Sequence, residues 1–229
     1  MKIVDISQGW YVGMPSFGAT WYPTFTIDRA MTPESDPAQV DRTFSTLHLF
    51  SHNGSHVESG YHFDPAGPQI DDVPLETFMG RACVADLSYK RDLEPVEADD
   101  LAAAVKDVWQ PGDRLLIRTD HPRRHLGEDD YWDVATYLTA SAADWAVDNG
   151  ASLVGMDCVT ERPGERAFPV HRRLLRAGIP LLENLQNLHL VTEQVTWLTA
   201  LPIKVSDVEA APVRAVVIEG MVPARAPMP

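Results

Sequence analysis

Basic side chains are in short supply. Nineteen lysines and arginines face 33 aspartates and glutamates, giving a formal net charge of −14 over 229 residues. Without a basic stripe to meet phosphates, neither nucleic acid nor an anionic membrane is expected as the main partner. Cysteine is nearly absent. Cys83 and Cys158 stand far apart in apolar contexts, which argues against a disulfide framework and suits two reduced, buried thiols in a cytoplasmic protein. No apolar run approaches the length of a membrane span, and Met1-Lys2-Ile3-Val4-Asp5 carries no secretory apolar core. A glycine-rich phosphate loop and internal repeats are also missing, so nucleotide chemistry is not indicated.

What is present is an ordinary globular balance, 45% hydrophobic and 23% charged, in a chain long enough to bury one substantial core. Strand-like segments are expected at 2–7, 44–50, 82–87, 115–118, 153–157, 179–182, 199–205 and 214–219. Helical segments are expected near Phe78, at 97–108, at 141–149 with Ser141 as N-cap and Gly150 closing it, and from His171 to Ala177, closed by Gly178. Strands and helices alternate from about residue 82 to 185, which favours one α/β domain with a mixed sheet over residues 1–222. The Pro/Ala-rich stretch 223–229 reads as a loosely held tail.

One segment concentrates the chemistry. Between Ser51 and Asp64 lie three of the eight histidines (His52, His56, His62) and two carboxylates (Glu58, Asp64), with Gly54 and Gly60 allowing close bends. Imidazole and carboxylate are the usual ligands of zinc and manganese. In extended backbone His56 and Glu58 share a face, and His52 can join them from the preceding turn. Farther along, His171, Glu183 and Asp157 fall at strand and helix junctions, where α/β folds place functional groups. Upstream, Trp10, Phe17, Trp21 and Tyr22 are candidates for an aromatic substrate wall.

The run His52-Asn53-Gly54-Ser55-His56-Val57-Glu58-Ser59-Gly60-Tyr61-His62 resembles the H-x-G-T-H-x-D-x-P-x-H signature of the metal-dependent cyclase family, which includes bacterial kynurenine formamidases and isatin hydrolases. Asp5-Ile6-Ser7, Gly112-Asp113 with Leu116-Ile117-Arg118-Thr119, Gly155-Met156-Asp157, His171-Arg172-Arg173-Leu174-Leu175, Gly178-Ile179 and Glu183-Asn184-Leu185 resemble further family segments in the same order. The resemblance implies a swivelling β/β/α-type fold and a homodimer or homotetramer. It implies one or two divalent ions, Zn²⁺ or Mn²⁺, held by His52, His56, Glu58, His171 and Glu183, with His62 as general acid/base. The implied reaction is hydrolysis of a non-peptide amide beside an aromatic ring, an aryl formamide or a cyclic amide, in a small-molecule substrate.

Three positions depart from the signature. Ser55 keeps the threonine hydroxyl. Glu58 is one methylene longer than aspartate, which changes whether the carboxylate chelates one ion or spans two. Gly60 removes a proline stiffener just before His62, so His62 is expected to be less firmly placed. Two other readings stay open on sequence grounds: a metal-dependent cyclase, dehydratase or isomerase acting on a cyclic or polyketide-like substrate, and a non-catalytic protein with a vestigial metal site.

Overall fold

A computed structural model describes residues 1–221 apart from 18, 20 and 39; the expected tail at 223–229 lies outside the described residues. In chain order the strands and helices are β1 (Lys2–Asp5), β2 (Thr26–Met31), β3 (Phe44–His48), β4 (His56–Glu58), β5 (Met79–Asp86), β6 (Pro95–Val96), α1 (Ala98–Val105), β7 (Arg114–Arg118), α2 (His121–His125), β8 (Tyr137–Leu138), α3 (Ala140–Asp148), β9 (Leu153–Met156), α4 (Pro169–Arg176), β10 (Leu181–Glu183), β11 (Val195–Thr199), β12 (Ala210–Pro212) and β13 (Val216–Glu219). Nine of the strands form one sheet in the order β1-β13-β11-β5-β7-β9-β10-β4-β12. Its centre, β5-β7-β9-β10, is parallel, and both flanks are antiparallel.

Successive side chains on a strand point to opposite faces, and that alternation sorts two cores. Cys83, Ala85, Leu115, Ile117, Val154, Met156 and Leu181 face α1, α3 and α4 through Leu101, Val105, Ala142, Ala146, Val170 and Leu174. Ala82, Val84, Leu116, Leu153 and Leu182 face the other way, where they meet Val4, Ile6, Leu198 and Val217 from the sheet's own far flank. The sheet therefore curls over itself on one side and carries helices on the other, the β/β/α layering expected. The curl brings Ser7, just beyond β1, into an antiparallel bridge with Leu185, and Gln186 donates its backbone N–H to the Ile6 carbonyl at 2.8 Å.

Several boundaries differ from the sequence expectation. The strand placed at 199–205 lies at Val195–Thr199, where it pairs with β5 on one side and β13 on the other. Downstream of it Pro202 makes only a single bridge, to Val213, and Leu201, Ile203 and Val205 are exposed. α3 is capped by Thr139, whose hydroxyl accepts from the Ala142 N–H at 3.3 Å. Ser141 instead hydrogen-bonds Glu97 across the α1–α3 boundary, while Asp144 pairs with Arg173 of α4 at 2.6 Å. α4 starts two residues before His171, at Pro169, whose fixed φ and missing N–H suit a first helical turn. Near Phe78 there is only a 3₁₀ turn, Leu75–Phe78, which ends at that residue. The strand expected at 44–50 is β3, but it pairs with β2 as a separate ribbon rather than joining the main sheet.

Gly155 in β9 shows how closely the inner face is filled. A Cβ there would sit 2.9 Å from Leu116, 3.2 Å from Leu185 and 3.3 Å from Leu182. Gly155→Val is expected to destabilise the fold by about 1–3 kcal/mol through overpacking, read as a lower urea midpoint at unchanged m-value; an unchanged midpoint would contradict this packing.

Candidate metal centre

The register between β4 and β10 builds the centre. Glu183 is the last residue of β10 rather than a residue beyond it, and it lies directly across from His56. Glu58 is two residues from His56 on the same, helix-facing side of β4, and α4 lowers His171 onto that side. His52 enters from the turn before β4, which Gly54 makes possible. Gly54 has φ +60, and a Cβ on it would come within 2.7 Å of the Trp10 ring.

Each histidine is anchored by one ring nitrogen and turns the other inward. His56 Nδ1 lies 2.9 Å from the Gly54 carbonyl, so it carries the proton, leaving Nε2 toward Glu58 Oε1 at 3.1 Å and Glu183 Oε2 at 3.5 Å. His171 Nδ1 lies 2.9 Å from Glu161 Oε1, and its Nε2 faces Glu183 Oε1 at 3.3 Å and Glu58 Oε2 at 3.6 Å. His52 Nε2 meets Glu209 Oε1 at 3.0 Å and its Nδ1 meets Glu58 Oε1 at 2.7 Å. Two triads result, His52-His56-Glu58 and Glu58-His171-Glu183, each with ligand atoms within 4.8 Å of one another. Glu58 belongs to both.

A buried carboxylate needs positive charge or hydrogen-bond donors. Glu58 is 1% exposed and its Oε2 has no hydrogen-bond partner. Burial acts to raise its pKa, yet the charges and hydrogen bonds of His52, His56 and His171 hold it well below the usual carboxylate range. Glu183 is lowered too: burial and the Glu58 charge oppose this, and His171 with His56 outweighs them. The histidines respond in kind. Burial would lower His52 and His171, but Glu58 and Glu209 raise His52 to about 10, and Glu161, Glu183 and Glu58 raise His171 to about 10. Five converging imidazole and carboxylate groups, one of them with an orphaned buried oxygen, fit a divalent cation in chemistry and placement.

His62 stands beside this centre and belongs to neither triad. Its ring is 4.5 Å from that of His52 and 6.1 Å from that of His171. Burial, with help from the His52 and His171 charges, lowers its pKa against the pull of Glu58 and Glu183. Gly60, the source of the expected looseness, packs against Pro68. A Cβ at Gly60 would meet Pro68 Cδ at 2.8 Å, and the Pro68 carbonyl accepts the Tyr61 N–H at 3.0 Å. Pro68 stiffens from across the loop what a proline at 60 would stiffen from within. Ser55 keeps its role as a hydroxyl: fully buried, it donates to the Asn184 carbonyl and accepts from the Gln8 N–H, both at 2.7 Å.

The aromatic residues divide. The Tyr22 hydroxyl donates to the His52 carbonyl at 2.6 Å, and burial with the Glu183 and Glu58 charges raises its pKa. Its ring lies 4.6 Å from Phe50, 5.7 Å from Trp21 and 6.0 Å from Phe17. Trp10 stands apart, against Gly54 and Phe25. Asp157 is not brought to the centre; it accepts from Thr119 and the Asp120 N–H. Residues that the sequence did not single out include Phe63, whose ring is 4.5 Å from His62 and 5.3 Å from His171, and the polar partners Thr160, Glu161 and Glu209. These are single polar residues in loops, with no local motif to mark them.

Such a buried histidine–carboxylate centre, on the strand pair just inside one edge of a mixed, helix-covered sheet, defines a class of α/β protein with a place for a divalent cation. Within that class, residues 4–161 match the family model described as "Putative cyclase". The chain is 30% identical over 172 residues to a kynurenine formamidase of Bacillus thuringiensis (strain Al Hakam), covering 75% of this chain and 78% of that one. It is 29% identical over 219 residues to a kynurenine formamidase of Salinibacter ruber, covering 94% and 97%. Its fold is similar to isatin hydrolase A from Labrenzia aggregata, bound to benzyl benzoate, with a TM-score of 0.82 at 19% identity over 94% and 93% of the two chains. The chain belongs to the cyclase family.

A metal ligand must offer a lone pair, so as ligands His52 and His171 would each have to give up the proton that the neighbouring carboxylates hold on them. Zinc or manganese binding at pH 7 is expected to release protons, approaching one each for His52 and His171. Calorimetry in buffers of different ionisation enthalpy checks this; binding without proton release would remove both histidines from the ligand set.

Proposed function

We propose that this protein is a metal-dependent amidohydrolase that cleaves a small non-peptide amide, an aryl formamide or a cyclic amide, and that His52, His56, Glu58, His171 and Glu183 hold its cation. The observation that carries the reading is the shared Glu58, a buried carboxylate that turns one oxygen to each histidine group and leaves one of them without a donor. That arrangement supports two ions as well as one, and its mixed nitrogen and oxygen donors suit zinc or manganese. Once bound, the cation supplies Lewis-acid polarisation of the amide carbonyl and makes water acidic enough to attack near neutral pH.

The side chains do the rest. His62, kept below the ordinary histidine pKa, is an unprotonated imidazole at neutral pH and accepts the proton of the attacking water. As the carbonyl carbon–oxygen bond forms and the carbon–nitrogen bond breaks, His62 returns that proton to the leaving nitrogen. Phe63 supports the His62 ring. Tyr22, Phe50, Trp21 and Phe17 form a chain of rings leading from the surface to His52, the wall against which a flat aromatic substrate would lie. Trp10 serves this site by bracing the Gly54 turn.

The β2–β3 ribbon bears on assembly. Every residue of β3 is exposed, Phe44 and Leu47 are more than half exposed, and an isolated two-stranded ribbon is marginal in water. We propose that a second copy of this chain covers it, in a homodimer or homotetramer. Two buried thiols fit a reducing compartment such as the cytoplasm, and no helix among the described residues is long and apolar enough to cross a membrane.

Incubated with N-formyl aromatic amines and cyclic amides after zinc or manganese loading, the enzyme is expected to yield products that together gain the mass of one water. A product of unchanged mass, or one lighter by a water, would replace hydrolysis by isomerisation or dehydration. His62→Ala is expected to lower kcat by about 10²–10⁴-fold while metal content by mass spectrometry is unchanged; metal loss in that variant would make His62 a ligand. Light scattering of the purified protein should give a dimer or tetramer mass, and a monomer would refute the assembly.

A further inference from the structure

Thr160 and Glu161 sit side by side in the loop after β9, and each reaches a different member of the candidate centre. The Thr160 hydroxyl, 3% exposed, donates to Glu183 Oε1. The Glu161 carboxylate, its side chain 9% exposed, accepts at one oxygen both the ring Nδ1–H and the backbone N–H of His171, each at 2.9 Å. Glu183 ends β10 and His171 lies in the first turn of α4. No strand pairing joins those two residues, so their mutual position depends on what spans them.

We infer that the Thr160-Glu161 dipeptide is a positioning clamp, setting the distance and orientation between His171 Nε2 and Glu183 Oε1 for metal capture. The inference rests on the metal-centre reading above and adds residues which that reading does not use. Glu161 fixes the His171 tautomer: with Nδ1–H committed to the carboxylate, only Nε2 is left to face inward, and the paired charge makes that nitrogen a better donor. Thr160 occupies one carboxylate lone pair of Glu183 and so adds, to the contacts with His56 and His171, a neutral restraint on the rotation of that carboxylate. Because the two are adjacent in sequence, a shift of the loop moves both ligands together.

Glu161 also has an architectural duty, and the test must separate the two roles. Phe168, at the N-cap of α4, makes no side-chain cap bond. The Glu161 carboxylate satisfies one of the helix's free N–H groups, that of His171, in its place. A purely architectural Glu161 would alter the melting of the apo protein and leave the metal environment alone.

The experiment titrates Co²⁺ and Zn²⁺ into the metal-stripped full chain against a competing chelator and records the cobalt d–d spectrum. Four proteins are compared: wild type, Glu161→Gln, Thr160→Val and Thr160→Ser. Val keeps the shape of Thr without its hydroxyl, whereas Ser keeps the hydroxyl. Glu161→Gln and Thr160→Val are expected to weaken metal binding by about 10–100-fold and to shift the cobalt spectrum. Thr160→Ser should stay within about threefold of wild type. Tight binding by wild type together with unchanged affinity and spectrum in Glu161→Gln and Thr160→Val would overturn the clamp alone. So would equal losses in Thr160→Ser and Thr160→Val, since the hydroxyl would then be irrelevant. Failure of wild type itself to take up either ion would overturn the metal-centre reading, and the clamp with it. Circular dichroism of each apo variant verifies the fold, and Thr160→Ser keeps the test valid should Glu161→Gln unfold.

Discussion

A negative charge buried at Glu58 is the constraint to which the rest of the molecule answers. Removing a carboxylate from water costs several kcal/mol even after relaxation, and nothing about the sheet alone would repay that. Three imidazoles do so, delivered by a turn, a strand and a helix. The β4–β10 register places Glu183 opposite His56, α4 sets His171 over both, and the Gly54 turn leads His52 in. Each histidine is held from outside by a carbonyl or carboxylate, so its lone pair has one direction left.

Much of this was legible in the sequence, for a reason tied to distance along the chain. His52, His56, Glu58 and His62 lie within eleven residues, and a local cluster of that density has few other uses. The central strands also read directly, because Leu115, Leu116 and Ile117 are apolar on both faces, as a doubly covered parallel strand must be. The elements missed or misplaced were short or set by partners: β12, which the sequence did not mark, has three residues, and β11 is fixed by β5 and β13 rather than by its own pattern. Glu161, Thr160 and Glu209 stayed hidden because a lone polar residue in a loop means nothing until the sheet brings residue 209 beside residue 52. Phe63 directly follows the signature but carried no ligand chemistry to draw attention to it.

The departures from the family signature are matched elsewhere in the chain. At position 58 the longer glutamate lets one oxygen sit near His52 and His56 while the other turns to His171. At position 60 a proline ring would strike Pro68, so the stiffness has moved across the loop. At position 55 the hydroxyl does what threonine's would, joining the exits of β1 and β10 to the start of β4. A single-residue comparison would count three losses at a catalytic centre. In the fold each is compensated by a contact that only tertiary structure supplies.

The Ser55 hydroxyl has a consequence in time as well as in space. Its two partners lie 47 and 129 residues away, and both triads draw on Glu58, which needs His171 and Glu183 to complete the second. A growing polypeptide therefore emerges with its histidine-rich segment long before His171 and Glu183 exist. Contacts of such long sequence separation form slowly. The Glu58-His171-Glu183 group is thus complete only after synthesis has passed residue 183, and the Glu209 partner of His52 arrives later still.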